Sequence, residues 1–187
     1  MPKLNAFNSI SVDGYIADRH GGIAWAKSRE DAEWNAFVAA NASGGGTLLF
    51  GRVTYDLMRG FWPTPQAAQQ MPVVAERMNN LPKVVFSRTL QKASWNNTTL
   101  VTGDIAQAVR QMKEGSAAGL TILGSASIVS QLAQERLIDE FQMVVIPIAL
   151  GAGKTMFGGM KEHLPLKLLR SRTFNNGNVL LCYEPAD

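Results

Sequence analysis

Short apolar runs alternate with segments whose hydrophobic residues recur at helical spacing along most of this sequence. The runs predict strands at residues 4–10, 47–50, 83–86, 100–101 and 120–123. The segments between them predict helices at residues 28–41, 52–58, 73–79, 104–113 and 128–136, with Asp104 as a helix cap. Such alternation is typical of an α/β domain with a largely parallel sheet and helices on both faces.

The C-terminal third departs from this alternation. Residues 141–150 and 178–184 are long apolar segments with no convincing helix between them, which predicts antiparallel strands closing the edge of a mixed sheet. The apolar run at 141–150 is a candidate edge for pairing with a second copy in a homodimer. Residues 63–72 are rich in proline and glutamine and are interpreted as a loose connection.

Two of the strand-to-helix junctions carry glycine. Gly51 stands between the second strand and its helix, and Gly124 ends the run at 120–123. Ser125 and Ser127 follow Gly124 at positions suited to helix capping. The first turn of a helix offers unpaired N–H groups and a partial positive charge. These junctions therefore indicate a phosphate-binding edge, although any strand-to-helix turn favours glycine and serine.

Composition narrows the classes of protein. The 187 residues, 46% hydrophobic and 18% charged, suit one domain spanning residues 1–187 with its own core. The net charge of +3 comes from scattered Lys and Arg, so nucleic-acid binding is not expected. No apolar run is long enough to span a membrane. The single cysteine, Cys182, lies in an apolar strand pattern, so a reducing, cytoplasmic location is expected for the chain.

The usual self-contained catalytic motifs are missing. Residues 151–155 read GAGKT, but position 148 holds Ile148 where a P-loop requires its first glycine, so Lys154 is interpreted as part of a turn. His20 and His163 have no carboxylate or cysteine at metal-ligand spacing, and no metal is expected. No G-x-S-x-G nucleophile motif occurs. A protein that takes its chemistry from a bound organic cofactor is therefore favoured.

Five segments in sequence order resemble the dihydrofolate reductase-like superfamily. They are S-V-D-G-Y-I-A at 11–17, G-R-V-T-Y at 51–55, V-F-S-R-T-L at 85–90, L-G-S-A-S at 123–127, and L-I-D-E-F with P-I-A-L-G-A-G within 137–153. Within that superfamily the chain is most similar to the reductase domain of the bifunctional riboflavin-biosynthesis deaminase/reductase and its stand-alone bacterial relatives. The resemblance covers nearly the whole chain.

The resemblance implies an NADPH-dependent reductase, commonly dimeric, acting on a small-molecule substrate. Gly51 would then let the backbone approach the cofactor at the start of a helix, and Thr54 would hydrogen-bond a phosphate. Arg52 would bind the adenosine 2′-phosphate, with Ser87 and Arg88 as a second hold on it. The residues expected to meet the pyrophosphate are Gly124, Ser125, Ala126 and Ser127. Ile16 and Ala17 would pack against the nicotinamide.

Catalytic and substrate-binding candidates are fewer. Asp13 lies in the S-V-D-G segment and either assists catalysis or caps a turn. Asp31 and Trp34 repeat the spacing of the acid and tryptophan of true dihydrofolate reductases, although an acidic residue there also suits the start of a helix. Trp25 and Trp62 are candidates for an apolar substrate wall or are simply core residues.

Two departures from the riboflavin-type pattern leave the substrate open. Phe7 stands where those proteins usually carry a lysine, and Leu123 stands where they usually carry a glutamate. The chain also lacks the zinc-site motif of the deaminase half. Three hypotheses therefore remain: a riboflavin-type reductase, a dihydrofolate reductase-type pterin reductase that uses Asp31, and a non-catalytic NADP(H)-binding dimer.

Overall fold

The computed structural model describes residues 2–27, 31–115 and 118–186. Ten strands are found within these ranges: β1 Leu4–Ser11, β2 Tyr15–Asp18, β3 Thr47–Gly51, β4 Lys83–Phe86, β5 Thr98–Val101, β6 Leu120–Leu123, β7 Glu140–Ile146, β8 Gly153–Thr155, β9 Leu166–Thr173 and β10 Val179–Pro185. The helices of the same ranges are α1 Ala32–Ala42, α2 Arg52–Phe61, α3 Pro65–Gln70, α4 Pro72–Asn80, α5 Ile105–Gly115 and α6 Ala126–Gln134, with a 3-10 turn at Ala24–Ala26.

The strands form one large sheet and one small sheet. The eight-stranded sheet has the order β5-β4-β3-β6-β1-β7-β10-β9, and the pairs from β5 to β7 are all parallel. β10 runs antiparallel to both β7 and β9. β2 and β8 form a separate antiparallel pair. The predicted mixed sheet, mostly parallel with antiparallel C-terminal strands, is confirmed.

Helices cover both faces of the large sheet, as predicted. On one face, α5 and α6 pack over side chains from alternate strand positions, including Leu4, Leu49 and Ile122. On the other face, α1, α2 and α4 pack over Leu48 and Val85. Burial of apolar side chains on both faces explains why the central strands read as continuous hydrophobic runs. None of the helices in the described ranges is long and apolar enough to cross a membrane.

Several boundaries differ from the sequence-based expectation. The helix expected at 28–41 is observed as α1, which begins at Ala32, while residues 28–30 lie outside the described part of the chain. The connection at 63–72 is not loose, because it contains α3, whose first turn is capped by Thr64 Oγ1 accepting from the Ala67 N–H at 3.2 Å. Proline at the first helical position favours this start.

The expected dimer edge is also wrong. The run at 141–150 supplies β7, which is paired on one side with β1 and on the other with β10. Its backbone hydrogen-bonding groups are therefore engaged within the chain. In the described part of the molecule, the outer strands of the large sheet are β5 and β9. Formation of a homodimer stays a prediction, but the strand at 141–150 is not available to pair with a second copy.

A buried lysine links α4 to β4. Lys83, which is 1% exposed, donates from Nζ to the carbonyls of Met78, Asn79 and Leu81 at 2.9, 3.1 and 2.6 Å, and it lies 4.7 Å from the centre of the Trp95 ring. These carbonyls end α4, where the helix dipole favours a cation. Burial lowers the pKa of Lys83 to about 8.

Candidate active-site cleft

A cleft of about 1050 Å³ opens at the carboxyl ends of β3, β4, β5 and β6. Three helices begin at its floor: α2 after Gly51, α5 after Asp104 and α6 after Ser125. The opposite wall is formed by the small β2–β8 sheet. Ligands of open α/β sheets bind outside the carboxyl ends of the strands, so this is the position expected for a binding site.

All the cofactor-binding candidates of the sequence line this one cleft. They come from four separate segments of the chain and are Ile16, Ala17, Gly51, Arg52, Thr54, Ser87, Arg88, Gly124, Ser125, Ala126 and Ser127. Because the parallel strands end at a common edge, the topology brings together residues that are up to 111 positions apart, from 16 to 127. Proximity is established by the fold, and binding stays a prediction.

The starts of α2 and α6 are joined by side-chain hydrogen bonds. Thr54 Oγ1 accepts from the Ser125 N–H at 3.1 Å, and Ser125 Oγ accepts from the Gly51 N–H at 2.9 Å. Ser125 Oγ also donates to the carbonyl of Leu123 at 3.1 Å. Ser125 is at the capping position of α6, but its side chain makes no capping bond to that helix, which corrects the sequence interpretation. Ser127 lies within the first turn and is not the cap.

At two glycines the backbone of the cleft lies so close to neighbouring side chains that a Cβ would crowd them. Gly124 has φ +59°, and a Cβ there would lie 3.0 Å from Thr54 Cγ2. A Cβ on Gly51 would lie 3.2 Å from Ile128 Cγ1. Ser125 is also left-handed, at φ +56°, which is uncommon for a residue with a side chain. Two consecutive left-handed residues turn the chain from β6 into α6, and such strained positions cluster at ligand sites.

The arginine end of the cleft is already partly structured. Arg52 donates from Nε to Asp56 at 2.8 Å and from one terminal nitrogen to Thr89 Oγ1 at 2.9 Å. Ser87 Oγ accepts from the N–H groups of Thr89 and Leu90 at 3.2 and 3.0 Å, which fixes the turn after β4. Arg88 is exposed, and the described part of the chain offers it no ion pair. The cleft thus presents Arg52, whose orientation is fixed by hydrogen bonds, and Arg88, which can turn toward a ligand.

The four remaining candidates do not line the cleft. Asp31 Oδ1 accepts from the Trp34 N–H at 2.9 Å and caps α1, as the structural alternative predicts. Trp25 packs against an apolar cluster between α1 and the C-terminal strands. Trp62 lies at the end of α2 and packs, half-buried, against the apolar cluster under that helix, with Nε1 donating to Met58 Sδ at 3.1 Å. A substrate role for either tryptophan gains no support from its position.

Asp13 ties two loops together. Its carboxylate accepts from Ser11 Oγ at 2.6 Å and from the N–H groups of Leu150 and Gly151, at 2.7 Å for Gly151. The Ser11 bond, followed by the Leu150 bond, lowers the pKa of Asp13 to about 2. The turn-forming alternative accounts for these contacts, which join the β1–β2 turn to the segment before β8.

We expect Asp13→Asn to loosen the turn before β8. An amide has one acceptor oxygen in place of two, so the bonds to Leu150 and Gly151 cannot all be kept. Because the folded pKa lies below the unfolded value, the stability from this carboxylate is present above pH 4 and is lost as pH falls toward 2. Hydrogen exchange at the Leu150 and Gly151 amides should accelerate in the variant at pH 7. Unchanged exchange would show that the tie is dispensable.

Sequence reasoning missed part of the cleft wall. β2 and β8 are only four and three residues long, and Ala17 pairs with Lys154 across them. Lys154 therefore lies in a strand and lines the cleft, where the sequence interpretation placed it in a turn. Only tertiary pairing brings this strand to the site. The lysine in GAGKT was the one available signal.

The two departures from the riboflavin-type pattern are neighbours in the sheet. Phe7 on β1 is directly opposite Leu123 on β6. Phe7 packs with the cluster that contains Trp34 and Phe37, and its carbonyl accepts from the Gly124 N–H at 3.3 Å. A lysine and a glutamate at these positions would form a cross-strand charge pair, whereas this chain has an apolar pair. The change is local and lies directly beside the cleft.

The sheet order, the cleft at the strand ends and the glycine junctions define a protein of the dihydrofolate reductase-like fold. A model of the RibD C-terminal domain matches residues 2–180. The chain therefore belongs to the RibD C-terminal domain family, which supports a reductase-like, oxidoreductase role.

Relatives and solved structures agree with this assignment. The chain is 26% identical over 176 residues to the uncharacterized protein YyaP of Bacillus subtilis, covering 94% of this chain and 91% of that protein. YwjB of the same organism is 24% identical over 172 residues, covering 92% of each. A putative riboflavin biosynthesis protein from Shewanella sp. PV-4 superposes with a TM-score of 0.79 at 22% identity, covering 99% of both chains.

A bifunctional deaminase/5-amino-6-(5-phosphoribosylamino)uracil reductase from Thermotoga maritima shares the fold, with a TM-score of 0.68 at 15% identity. The match covers 99% of this chain and 57% of the Thermotoga protein. At these identities the solved structures establish the fold alone.

Proposed function

We propose that the protein is a cytoplasmic NADPH-dependent reductase that transfers hydride to a small heterocyclic or ribosylated substrate. The observation that carries the proposal is the convergence of the eleven cofactor-binding candidates on one cleft. A nicotinamide dinucleotide has an anionic diphosphate, and the cleft has three helix starts with basic side chains nearby. Family membership supports the reductase class.

The residues present fit such a cofactor. Gly51 and Gly124 leave space that a Cβ would restrict, so a ligand can approach the backbone there. Arg52 and Arg88 flank the turn fixed by Ser87, and a planar guanidinium suits a phosphate dianion. Two arginines at this end favour a 2′-phosphate, hence NADPH over NADH. NADPH, when bound, would supply the hydride.

Placement is the chief contribution that these residues would make to the reaction. Ile16 and Ala17 lie on the β2–β8 wall and would pack an apolar surface against the nicotinamide. The bonds of Asp13 hold the β1–β2 turn that precedes this wall. Fixed geometry converts a bimolecular encounter into an oriented one, which accounts for much of the acceleration in such sites.

The riboflavin-type substrate is the leading candidate, by family and by the named activity of the Thermotoga protein. The apolar Phe7–Leu123 pair adjoins the cleft without lining it, and it places no charge beside a bound substrate. We therefore expect a substrate that makes fewer ionic contacts on this side of the cleft. The position of Asp31 as a helix cap gives the pterin-reductase alternative no additional support.

The first experiment is a titration with NADPH and with NADH, followed by nicotinamide fluorescence. We expect tighter binding of NADPH, and a loss of about 10-fold to 100-fold in NADPH affinity for Arg52→Ala and for Arg88→Ala, because each removes charge-assisted bonds to the 2′-phosphate. NADH affinity should change much less. Arg77→Ala, an exposed arginine on α4 outside the cleft, is the matched control. Failure of the wild-type protein to bind either nucleotide would overturn the proposal.

Turnover is tested separately with a panel of ribosylated pyrimidines, pterins and simple carbonyl compounds. NADPH consumption with a ribosylated pyrimidine supports the riboflavin-type activity. Consumption with dihydrofolate that is abolished by Asp31→Asn would instead establish the pterin reductase. NADPH binding without consumption across the panel would favour a non-catalytic nucleotide-binding protein.

A further inference from the structure

Lys154 is the basic residue of the β2–β8 wall that faces the helix starts across the cleft. Its strand, β8, pairs with β2 so that Lys154 is opposite Ala17, and both residues line the cleft. The side chain is exposed, and the described part of the chain provides it with no carboxylate within ion-pair distance. A lysine with no protein partner in a cleft of this kind is available to a ligand.

Backbone donors on the facing wall are largely engaged. The Gly51 N–H donates to Ser125 Oγ at 2.9 Å, and the Ser125 N–H donates to Thr54 Oγ1 at 3.1 Å. The Gly124 N–H donates to the carbonyl of Phe7 at 3.3 Å. Three N–H groups at the glycine junctions, which the sequence suggested as phosphate donors, are thus already hydrogen-bonded within the protein. The Ile128 N–H also donates to the carbonyl of Ser125, at 2.8 Å. Among the described residues, the N–H groups of Ala126 and Ser127 are therefore left at the start of α6 for a diphosphate, which carries two negative charges.

The position of Lys154 also determines whether it can reach the diphosphate or the 2′-phosphate of a bound dinucleotide. β2 continues from β1, and β1 is the direct neighbour of β6, whose end holds Gly124 to Ser127. The Ser87–Arg88 turn follows β4, which is separated from β6 by β3. Two strand spacings correspond to about 10 Å. On this topology we assign the lysine to the β6 end of the cleft and not to the arginine end.

We propose that Lys154 binds the diphosphate of the dinucleotide from the wall opposite the start of α6. This inference rests on the proposed function, since it names a contact within the same site. An ammonium on a flexible stem acts as a point charge that can serve both phosphates, whereas the arginines recognise the 2′-phosphate as planar forks. The residue would thus supply affinity that is independent of the 2′-phosphate, and the arginines would supply discrimination.

Lys154→Met and Lys154→Gln are tested by equilibrium titration with three ligands. NADPH and NADH both contain the diphosphate, and adenosine 2′-monophosphate contains only the 2′-phosphate. We expect both variants to weaken NADPH and NADH by the same factor, about 10-fold, and to leave adenosine 2′-monophosphate unchanged. Arg88→Ala should give the complementary pattern, with the larger loss for the two ligands that carry a 2′-phosphate. Lys161→Met, an exposed lysine in the segment after β8, is the matched control.

The outcomes separate this inference from the proposed function. Wild-type binding of NADPH with unchanged affinity in both variants would overturn the role of Lys154 and leave the reductase proposal intact. An equal loss for adenosine 2′-monophosphate would also overturn it, because the lysine would then be contacting the 2′-phosphate. No nucleotide binding by the wild-type protein would overturn both. Raising the salt concentration should weaken NADH binding less in Lys154→Met than in the wild type, since one ionic contact is absent.

Discussion

Replacing Lys83 with methionine is expected to lower the free energy of unfolding by about 2–3 kcal/mol at pH 7. Methionine can fill the space of the lysine stem, but it donates no hydrogen bond. The carbonyls of Met78, Asn79 and Leu81 would lose their shared donor at the buried end of α4. Urea denaturation with a common slope m would measure the change.

Lys92→Met provides the matched control, because Lys92 is exposed and the described residues give it no hydrogen bond or ion pair. Its free energy of unfolding should stay within about 0.5 kcal/mol of the wild type. The pH dependence offers a second check. Burial lowers the folded pKa of Lys83 to about 8 from 10.5, so between these values the unfolded chain binds the additional proton.

Stability contributed by Lys83 therefore rises with pH across that window. The difference between the wild type and Lys83→Met should be larger at pH 9.5 than at pH 7. A smaller difference between the two proteins at pH 9.5 than at pH 7 would contradict the lowered pKa of Lys83. If the wild type and Lys83→Met were equally stable at both pH values, the three hydrogen bonds would contribute nothing to stability.

Gly124→Val is expected to reduce NADPH affinity by at least about 100-fold, the effect of losing close to 3 kcal/mol. Gly124 has φ +59°, which a β-branched residue adopts only with strain. Its Cβ would lie 3.0 Å from Thr54 Cγ2 and 3.3 Å from Thr54 Oγ1, the atom that accepts from the Ser125 N–H. The substitution would disturb the junction of α2 and α6 and also fill the cleft.

Gly60→Val separates this effect from the general cost of replacing a glycine. Gly60 lies near the end of α2, and a Cβ there would meet no atom within 4 Å. That variant should bind NADPH as the wild type does, with a small change in melting temperature. Circular dichroism and thermal unfolding would establish that Gly124→Val retains the fold. Wild-type affinity in a folded Gly124→Val protein would remove Gly124 from the binding surface.

The large sheet was predictable because its interior strands are buried on both faces. All four residues of β4 are buried, and the three that follow Lys83 form an apolar block that is visible in the sequence. β9 was missed for the opposite reason, since its residues from Lys167 to Thr173 are all exposed and follow no alternation. An outer strand that packs little carries little sequence signal. α3 was missed because the proline- and glutamine-rich composition was interpreted as a loose connection, whereas Pro65 begins a helix capped by Thr64.

The cleft could be assembled from motifs, but its internal bonds could not. Glycine and serine at the β6–α6 junction indicated a phosphate site, and the fold does place them together with Arg52 and Arg88. The sequence could not indicate that Ser125 bonds to Gly51, 74 residues away, because such a bond depends on the pairing of β3 with β6. The position of Lys154 in the cleft wall was hidden in the same way, because it depends on the pairing of β2 with β8.

The two walls of the cleft differ in how firmly they are supported. One wall is the end of an eight-stranded sheet, and the other is a two-stranded pair with three registered residues on each strand. An isolated two-stranded pair is only marginally stable in water. A ligand that contacts both walls would therefore hold them together, and its binding free energy would stabilise the β2–β8 pair. The β2–β8 side of the site would then be better ordered when the ligand is bound than when it is absent.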